Sequence, residues 1–465
     1  MIDRLLHLIK KIIPKKIFKK LQPSYHFLLA WLAAIFFGRP SEDMIVIGIT
    51  GTTGKTTSAY IIAKMLEASG CKVGYTSTAM FNDGEKEWVN DKKMTMPGRF
   101  FAQKILRSML RNGCRYAIVE TTSEGIEQWR HRFINYDILI FTGLYPEHID
   151  SHGSFDNYRA AKIKLFKHLK NCQSKCFNQD NKIVKVEDSF KKLGLNRIKK
   201  TIIANLDDNE ANTFLDCWAE KKYGYYQQAD SLNKNLKNIE TIKYEQVTAN
   251  EKGISFLVNN KKISLDLLGQ FNATNAMTAV CLGLSQDLSL DKIFKGLSSI
   301  HGVPGRLEKI DEGQKFTVIV DYAFEPRALE KMYETLNSIK YKKIIHVLGS
   351  AGGGRDISRR PKLGKIAGEQ ADIVIVTNED PYDDNPQIII DQVAVGAEKS
   401  GKILEKDLFK ILDRREAIAK ALFLADDMSL VIITGKGNEQ AICLVNGKKM
   451  PWDDRTVVRE EIKKK

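Results

Sequence analysis

Seven consecutive residues, Gly51-Thr52-Thr53-Gly54-Lys55-Thr56-Thr57, carry the clearest chemistry in this 465-residue chain. Closely spaced glycines let backbone N–H groups turn inward, and a lysine behind them can reach β- and γ-phosphates. The next threonine can place its hydroxyl on Mg²⁺. The general phosphate-loop pattern has four residues between its glycines; here Gly51 and Gly54 enclose two, so the loop is a shorter variant. A second group of candidates follows. Glu120 closes an apolar run and precedes Thr121-Thr122-Ser123. A carboxylate at the C-terminal end of a parallel strand lies where open α/β sheets bind ligands, and beside a phosphate loop it would hold Mg²⁺. His148 stands in Glu147-His148-Ile149-Asp150-Ser151-His152, where it could serve a metal or a substrate.

These residues need strands and helices to position them. The β-branched run Met44–Thr50 reads as a strand, and a helical pattern runs from Lys55 through Leu66. Together they give a strand, a glycine turn and a helix N-terminus, which suits a polyphosphate. Further strand-like runs are Val73–Ser77, Tyr116–Glu120 and Ile138–Thr142, with helical patterns at Phe100–Arg111 and Phe155–Leu169. Residues 172–268 are less regular. Ile239–Val247, Gly253–Val258 and Lys262–Leu267 look like antiparallel strands, with Asn259-Asn260 as a turn. A second alternation occupies the C-terminal third, with strands at Phe316–Val320, Lys343–Leu348, Asp372–Val376 and Ser429–Ile433. The expected fold is α/β: a phosphate-loop central domain with a mostly parallel sheet (41–300) and a Rossmann-like C-terminal domain (301–465).

Composition is that of a globular enzyme. Seven scattered cysteines without a Cys-x-x-Cys pair fit a reducing cytoplasm and no zinc site. The net charge of +15 is uneven: residues 1–20 hold seven Lys/Arg against Asp3 alone. No nucleic-acid recognition motif accompanies it, so nucleic acid is not expected as a partner. The 13-residue run Tyr25–Phe37 follows. It is short for a span, which needs about 20 residues. Residues 1–40 therefore read either as a helix packed on the body or as an anchor on an anionic membrane surface, at its cytoplasmic face.

The motifs together resemble the Mur ligase family, most of all its E-type branch. Beside the loop, Glu120-Thr-Thr-Ser and the run from Glu147 to Lys162, the resemblance rests on Gly269-x-Phe271-Asn272-x-x-Asn275 and Val303-Pro-Gly-Arg306. It also rests on Val320-Asp321-Tyr-Ala, Gly352–Asp356 with Arg360-Pro361, and Gly435-Lys-Gly-Asn-Glu439. It covers roughly residues 44–460. It implies an ATP-dependent, amide-forming ligase of cell-wall synthesis, acting as a monomer with ATP and Mg²⁺ on a muramyl-peptide-like acceptor and an amino acid. A carboxylate is a poor acylating agent; phosphorylation by ATP activates it, and an amine then displaces phosphate. By the resemblance, Lys55, Lys162, His148 and Arg306 are catalytic. Gly51 to Thr57, Asn272, Asn275, Arg306 and Asp321 bind ATP. Thr56, Glu120, His148 and a carbamylated Lys162 hold metal. Thr95, Thr122 and Arg130 contact the acceptor, and Glu379, Asp380, Pro381, Tyr382, Gly435 and Glu439 form the amino-acid pocket. Arg306 and Asp321 would engage when the domains close.

The chain also departs from that pattern. E-type members carry a UDP-binding domain of about a hundred residues, a common domain size, before the loop; here 50 residues precede Gly51. A lipid-linked acceptor is therefore a second expectation beside a UDP-linked one. Enzymes that add diaminopimelate have Asp-Asn-Pro-Arg where this chain has Glu379-Asp380-Pro381-Tyr382. Losing the arginine removes the fork that grips a distal carboxylate, so diaminopimelate is disfavoured. Asp383 and Asp384 could attract a distal ammonium instead. Met96 and Glu124 also replace a threonine and a histidine, and Phe324-Glu325 replaces His-Thr. Two other readings are a sister ligase acting on a folate or poly-amino acid, and an ATP-binding scaffold without catalysis.

Overall fold

The computed structural model describes residues 15–90, 92, 94–147, 152–177, 183–185, 196–228, 238–337, 339 and 341–464. The chain divides into two compact units. One is built from the chain up to Trp88, Met94–Tyr244 and Asn275–Gly296; the other from Val89–Lys93, Glu245–Thr274 and Leu297–Lys465.

The first unit opens with α1 (Lys15–Phe36), which contains Pro23. Then come β1 (Ile45–Thr50), α2 (Lys55–Ala68), β2 (Val73–Thr76), β3 (Met80–Asn82), β4 (Glu87–Val89), α3 (Arg99–Arg111), β5 (Tyr116–Glu120), α4 (Ser123–Glu127), β6 (Ile138–Phe141) and α5 (Phe155–Leu169). Strand β1 is buried at every residue and lies parallel between β5 and β6. Its neighbours come from later in the chain, so the crevice beyond its C-terminal end is a switch point of the sheet. Both the glycine loop and Glu120 emerge there. A small antiparallel sheet pairs β7 (Lys175–Phe177) with β8 (Ile183–Lys185) and β9 (Asn196–Ile198). The main sheet continues from β6 through β10 (Thr201–Asn205), with α6 (Ala211–Leu215) behind it, to β11 (Lys221–Tyr226) and the start of β12 (Glu240–Asn250), all parallel. The irregular stretch of the sequence therefore holds two interior strands that no alternation announced.

Beneath β1 lies a buried charge network. Asp137 accepts from Lys175 (Nζ to Oδ2, 2.5 Å) and Lys200 (Nζ to Oδ1, 2.9 Å), all three side chains being almost fully buried. The same Asp137 Oδ2 accepts from Val46 N at 2.9 Å, and Lys175 Nζ donates to Met44 O at 2.7 Å. Backbone and charge satisfy each other, as burial requires. Burial lowers the Lys175 ammonium to about 8, against the pull of Asp137.

In the second unit β13 (Gly253–Val258) and β14 (Lys261–Leu265) form the expected hairpin, with Asn259 and Asn260 both at positive φ (50° and 60°) as a two-residue turn demands. Helices α7 (Phe271–Ser285) and α8 (Leu290–Ser298) come next in the chain and lie mostly in the first unit, which takes Asn275–Gly296. A six-stranded sheet then combines β15 (Glu308–Ile310), β16 (Thr317–Val320), β17 (Lys343–Leu348), β18 (Ile373–Thr377), β19 (Leu408–Ile411) and β20 (Ser429–Ile433). Its order is β15-β16-β20-β17-β18-β19, parallel except for the edge strand β15. Helices α9 (Pro326–Asn337), α10 (Arg359–Gln370) and α11 (Pro386–Lys399) cover one face, and α12 (Arg414–Leu424) and α13 (Asp454–Lys463) the other. Helices α10 and α11 approach to backbone contact: a Cβ on Gly364 would meet Val393 O at 1.8 Å, and one on Gly396 would meet Pro361 O at 1.9 Å.

Candidate functional site

The glycine loop forms because β1 ends at residues that can bend sharply. Gly54 has φ +79°, and a Cβ there would strike Asn275 Oδ1 at 2.5 Å. Glycine is required on both counts. Gly54 is also the N-cap of α2 and supplies no capping side chain, so the helix start is built from backbone N–H groups. This seats Asn275 directly against the loop. Asn272 donates from Nδ2 to Leu268 O (2.7 Å) at the start of α7.

Two candidate residues, Lys55 and Lys162, and a third residue, Thr142, converge on the loop. Lys55 Nζ donates to Gly51 O (3.0 Å) and Thr52 O (2.8 Å). Lys162 Nζ, from α5, donates to the same Gly51 O at 2.9 Å and lies 4.6 Å from the centre of the Tyr158 ring. Thr142 fixes the loop from β6 by donating to Thr53 O at 2.6 Å. Lys162 is fully buried, and burial first, then the Lys55 charge, push its amine far below the usual lysine range. Glu120 and Glu147 oppose that shift less strongly.

Thr56 Oγ1 donates to both oxygens of Glu120, at 3.1 and 3.0 Å. Glu120 also accepts from Thr78 N (2.7 Å) and Thr78 Oγ1 (3.0 Å), and Thr78 Oγ1 bonds Thr95 Oγ1 at 2.8 Å. One hydrogen-bonded chain, Thr56–Glu120–Thr78–Thr95, thus joins the loop to an expected acceptor residue. No local sequence pattern marks Thr78. Among the described residues no Lys or Arg pairs with the Glu120 carboxylate within 4 Å, although it is buried. A buried carboxylate beside a threonine hydroxyl is a hard oxygen donor set that fits Mg²⁺. His148 lies outside the described residues. Nearby, His152 Nε2 is 3.0 Å from Ser123 Oγ.

Of the residues expected to contact an acceptor, Arg130 bonds Met96 O and Gln128 Oε1 (2.7 Å). It therefore sits with Thr95. Thr122 has its hydroxyl engaged as the N-cap of α4, accepting from Gly125 N at 3.1 Å.

In the second unit, Arg306 stacks on Tyr322, 4.4 Å from the ring centre. Asp321 accepts from Leu307 N (2.6 Å) and Ala323 N (2.7 Å), which ties the Arg306 loop to β16. Burial raises the Asp321 carboxyl, against Arg306. The expected amino-acid residues gather around a lysine that the sequence analysis did not single out. Lys436 is wholly buried and donates to Asp380 Oδ1 (3.0 Å), Glu439 Oε2 (2.5 Å) and Ala441 O (2.7 Å). Its position between Gly435 and Gly437 after an apolar strand was the available signal. Glu379 lies against Gly435, whose Cβ would fall 2.3 Å from Glu379 Oε2. That oxygen is buried without a hydrogen-bond partner. Pro381 is followed by Tyr382 at φ +51°, whose ring rests on Gly353. Asp383 and Asp384 are engaged locally, by Asn446 N (2.8 Å) and by Arg360 (3.4 Å).

Residues 49–200 match the Mur ligase middle domain, and residues 305–437 match the Mur ligase glutamate ligase domain. The chain is 34% identical over 450 residues to a UDP-N-acetylmuramyl-tripeptide synthetase of Roseiflexus sp. (strain RS-1), covering 95% of this chain and 82% of that protein. The chain belongs to the Mur ligase family. This Mur ligase is also 32% identical over 448 residues to a UDP-N-acetylmuramoyl-L-alanyl-D-glutamate–2,6-diaminopimelate ligase of Syntrophomonas wolfei (95% and 83% covered). A solved diaminopimelate ligase of that description superposes with a TM-score of 0.58 at 25% identity, covering 90% of this chain and 78% of that one. A folylpolyglutamate synthase of Mycobacterium tuberculosis shares the fold (TM-score 0.62, 16% identity, 93% and 95% covered).

Glu379 gives this Mur ligase a pH signature. Burial raises its carboxyl from 4.5 to about 7, with Arg414 and Lys436 opposing. A carboxyl raised on folding favours the protonated form. Its contribution is complete below about 4.5 and is lost as pH rises through about 7. Glu379→Gln should therefore stabilise the substrate-free protein at pH 8 by up to about 3 kcal/mol and have little effect at pH 4.5. Urea unfolding of both proteins across that range checks it, and parallel pH profiles would refute it.

Proposed function

We propose that this Mur ligase joins an amino acid to the terminal carboxyl group of a UDP-N-acetylmuramyl-peptide, consuming ATP through an acyl phosphate. The observation that carries the reading is the convergence of Lys55, Thr56, Glu120 and Lys162 on one glycine loop. The relatives' names supply the acceptor.

The α2 N-terminus and Lys55 would bind the triphosphate. Mg²⁺, held by Thr56 and Glu120, would neutralise phosphate charge as the phosphoryl group moves. The acceptor carboxylate takes the γ-phosphoryl group and ADP leaves; the amine then attacks the acyl carbon and phosphate leaves. Little covalent work falls to the protein, so positioning dominates. Thr95 and Arg130 would hold the acceptor, Arg130 countering its carboxylate. Glu379 and Glu439 would receive the ammonium of the incoming amino acid, where the unpartnered Glu379 oxygen offers an acceptor. With Tyr382 in place of an arginine fork, a diamino acid with a free distal ammonium fits better than diaminopimelate.

The test is phosphate release from ATP with UDP-N-acetylmuramyl-L-alanyl-D-glutamate, supplying lysine, ornithine, diaminopimelate or glutamate singly. Release that requires one amino acid is expected. Glutamate added to a folate, or ATP bound without turnover under every condition, would overturn the reading.

A further inference from the structure

Helix α1 has two faces of different character. Ala30, Ala33 and Ala34 are buried, small enough for close packing on the unit, and Phe27 meets Trp129 and Phe133 edge-on at 5.7 and 5.2 Å. The opposite face exposes Leu28, Leu32 and Ile35, spaced i, i+4, i+7, with Trp31 and Phe36 beside them; Phe36 is 76% exposed. An amphipathic globular helix buries such a stripe. Here the stripe is turned away from the core.

Next to the stripe, the end of α1 and helix α3 enclose a cleft of about 450 Å³. Ile35, Phe36 and Phe37 form one wall; Lys104, Arg107 and Arg111 come from α3. Those three cations share a helix face at i, i+3, i+7, and among the described residues none has an acidic partner within 4 Å. An apolar ridge bordered by unpaired cations matches the layering of a lipid surface, with acyl chains beside phosphodiesters. We propose that the outer face of α1 and the basic cleft it forms with α3 dock this protein on an anionic lipid bilayer.

Geometry and charge both support that occupant. The apolar part of the segment, Tyr25–Phe37, is 13 residues long, roughly 20 Å as a helix, against about 30 Å of bilayer hydrocarbon. Among the described residues no helix is long and apolar enough to cross a membrane. The helix can therefore lie in the interface, where Trp31 suits the headgroup level. Charge complementarity extends into the sequence before it: α1 carries no Asp or Glu, and Lys15, Lys16, Lys19 and Lys20 occupy its first turns. Basic residues beside an anionic leaflet add to binding one by one. An acidic protein would satisfy the cations but not a bare row of Leu, Trp, Ile and Phe.

The test uses the full chain in flotation with vesicles of phosphatidylcholine alone or mixed with phosphatidylglycerol. Binding should require the anionic lipid and weaken with salt. Lys104→Glu, Arg107→Glu and Arg111→Glu combined should reduce partitioning on the order of a hundredfold, since each cation contributes roughly fivefold. Leu28→Glu with Leu32→Glu should abolish it. Leu28, Leu32, Lys104 and Arg111 are exposed and Arg107 is half-buried, and the circular dichroism and ATP binding of both variants in solution should match the parent. Equal binding to neutral vesicles, or anionic binding unchanged in both variants, would overturn the proposal. So would a dimer in light scattering that Leu28→Glu with Leu32→Glu dissociates while vesicles are not bound. Partitioning needs no substrate, so failure here leaves the ligase reading untouched.

Discussion

Lys162→Ala should lower kcat for amino-acid-dependent phosphate release by about 10³-fold, and formate or acetate should restore part of it. Lys162 and Lys55 share the carbonyl of Gly51 at 2.9 and 3.0 Å. Two ammonium groups there repel, and full burial penalises the Lys162 charge further. A neutral amine is a nucleophile: it can add CO₂, forming an N–C bond and releasing one proton, to leave a carbamate anion. The modification would turn repulsion from Lys55 into attraction and would add a second oxygen donor near Glu120. It also explains why Lys162→Arg should fail as badly as alanine, since a guanidinium does not deprotonate. Phosphate release measured in CO₂-depleted and bicarbonate-supplemented buffer checks the idea. Parental activity indifferent to CO₂, with no rescue of Lys162→Ala by carboxylates, would sink it.

Lys55→Ala should weaken ATP binding about 100-fold and reduce kcat/KM by about 10³-fold or more. The side chain has two tasks. Its ammonium ties Gly51 O to Thr52 O, and charge-assisted bonds of this kind contribute about 1.5–3 kcal/mol each. It also puts a positive charge at the first residue of α2, where phosphates would meet the helix N-terminus. Calorimetric titration with a non-hydrolysable ATP analogue separates binding from turnover. The Lys55→Ala, Lys162→Ala double variant should be scarcely worse than the poorer single variant, because the two residues act on one loop. Additive losses would show that they act separately.

Much of this was readable from residue order. Strands β1, β5, β6, β16, β17 and β20 are largely buried, so their sequences are near-continuous apolar runs bounded by turns. The glycine loop and Glu120 were legible for the same reason: their signals are local. Strand β11, Lys221–Tyr226, was not, because two lysines and a glycine look like loop until β10 pairs with it. Thr78 is one threonine among many, given a role only by the approach of β2's end to Glu120. Lys436 was visible inside a recognised motif, yet its three bonds to Asp380, Glu439 and Ala441 depend on tertiary folding. Helix α1 left two expectations open, and its faces divide them: alanines pack inward while the large apolar side chains point out.

The buried Asp137–Lys175–Lys200 network has a consequence for birth on the ribosome. Lys175 holds Met44 O, at the doorstep of the strand that carries the glycine loop, and Lys200 supplies the second ammonium partner of Asp137. Until Lys200 has left the exit tunnel, Asp137 lacks one of its two counterions. At about 5–20 residues per second, the segment from Met44 to Lys200 takes roughly 8–30 s to make. For that interval an apolar strand ending in a nucleotide loop waits unfinished. A nascent chain cut short of Lys200 should be the form that trigger-type holding chaperones retain, and one extended just past it the form they release.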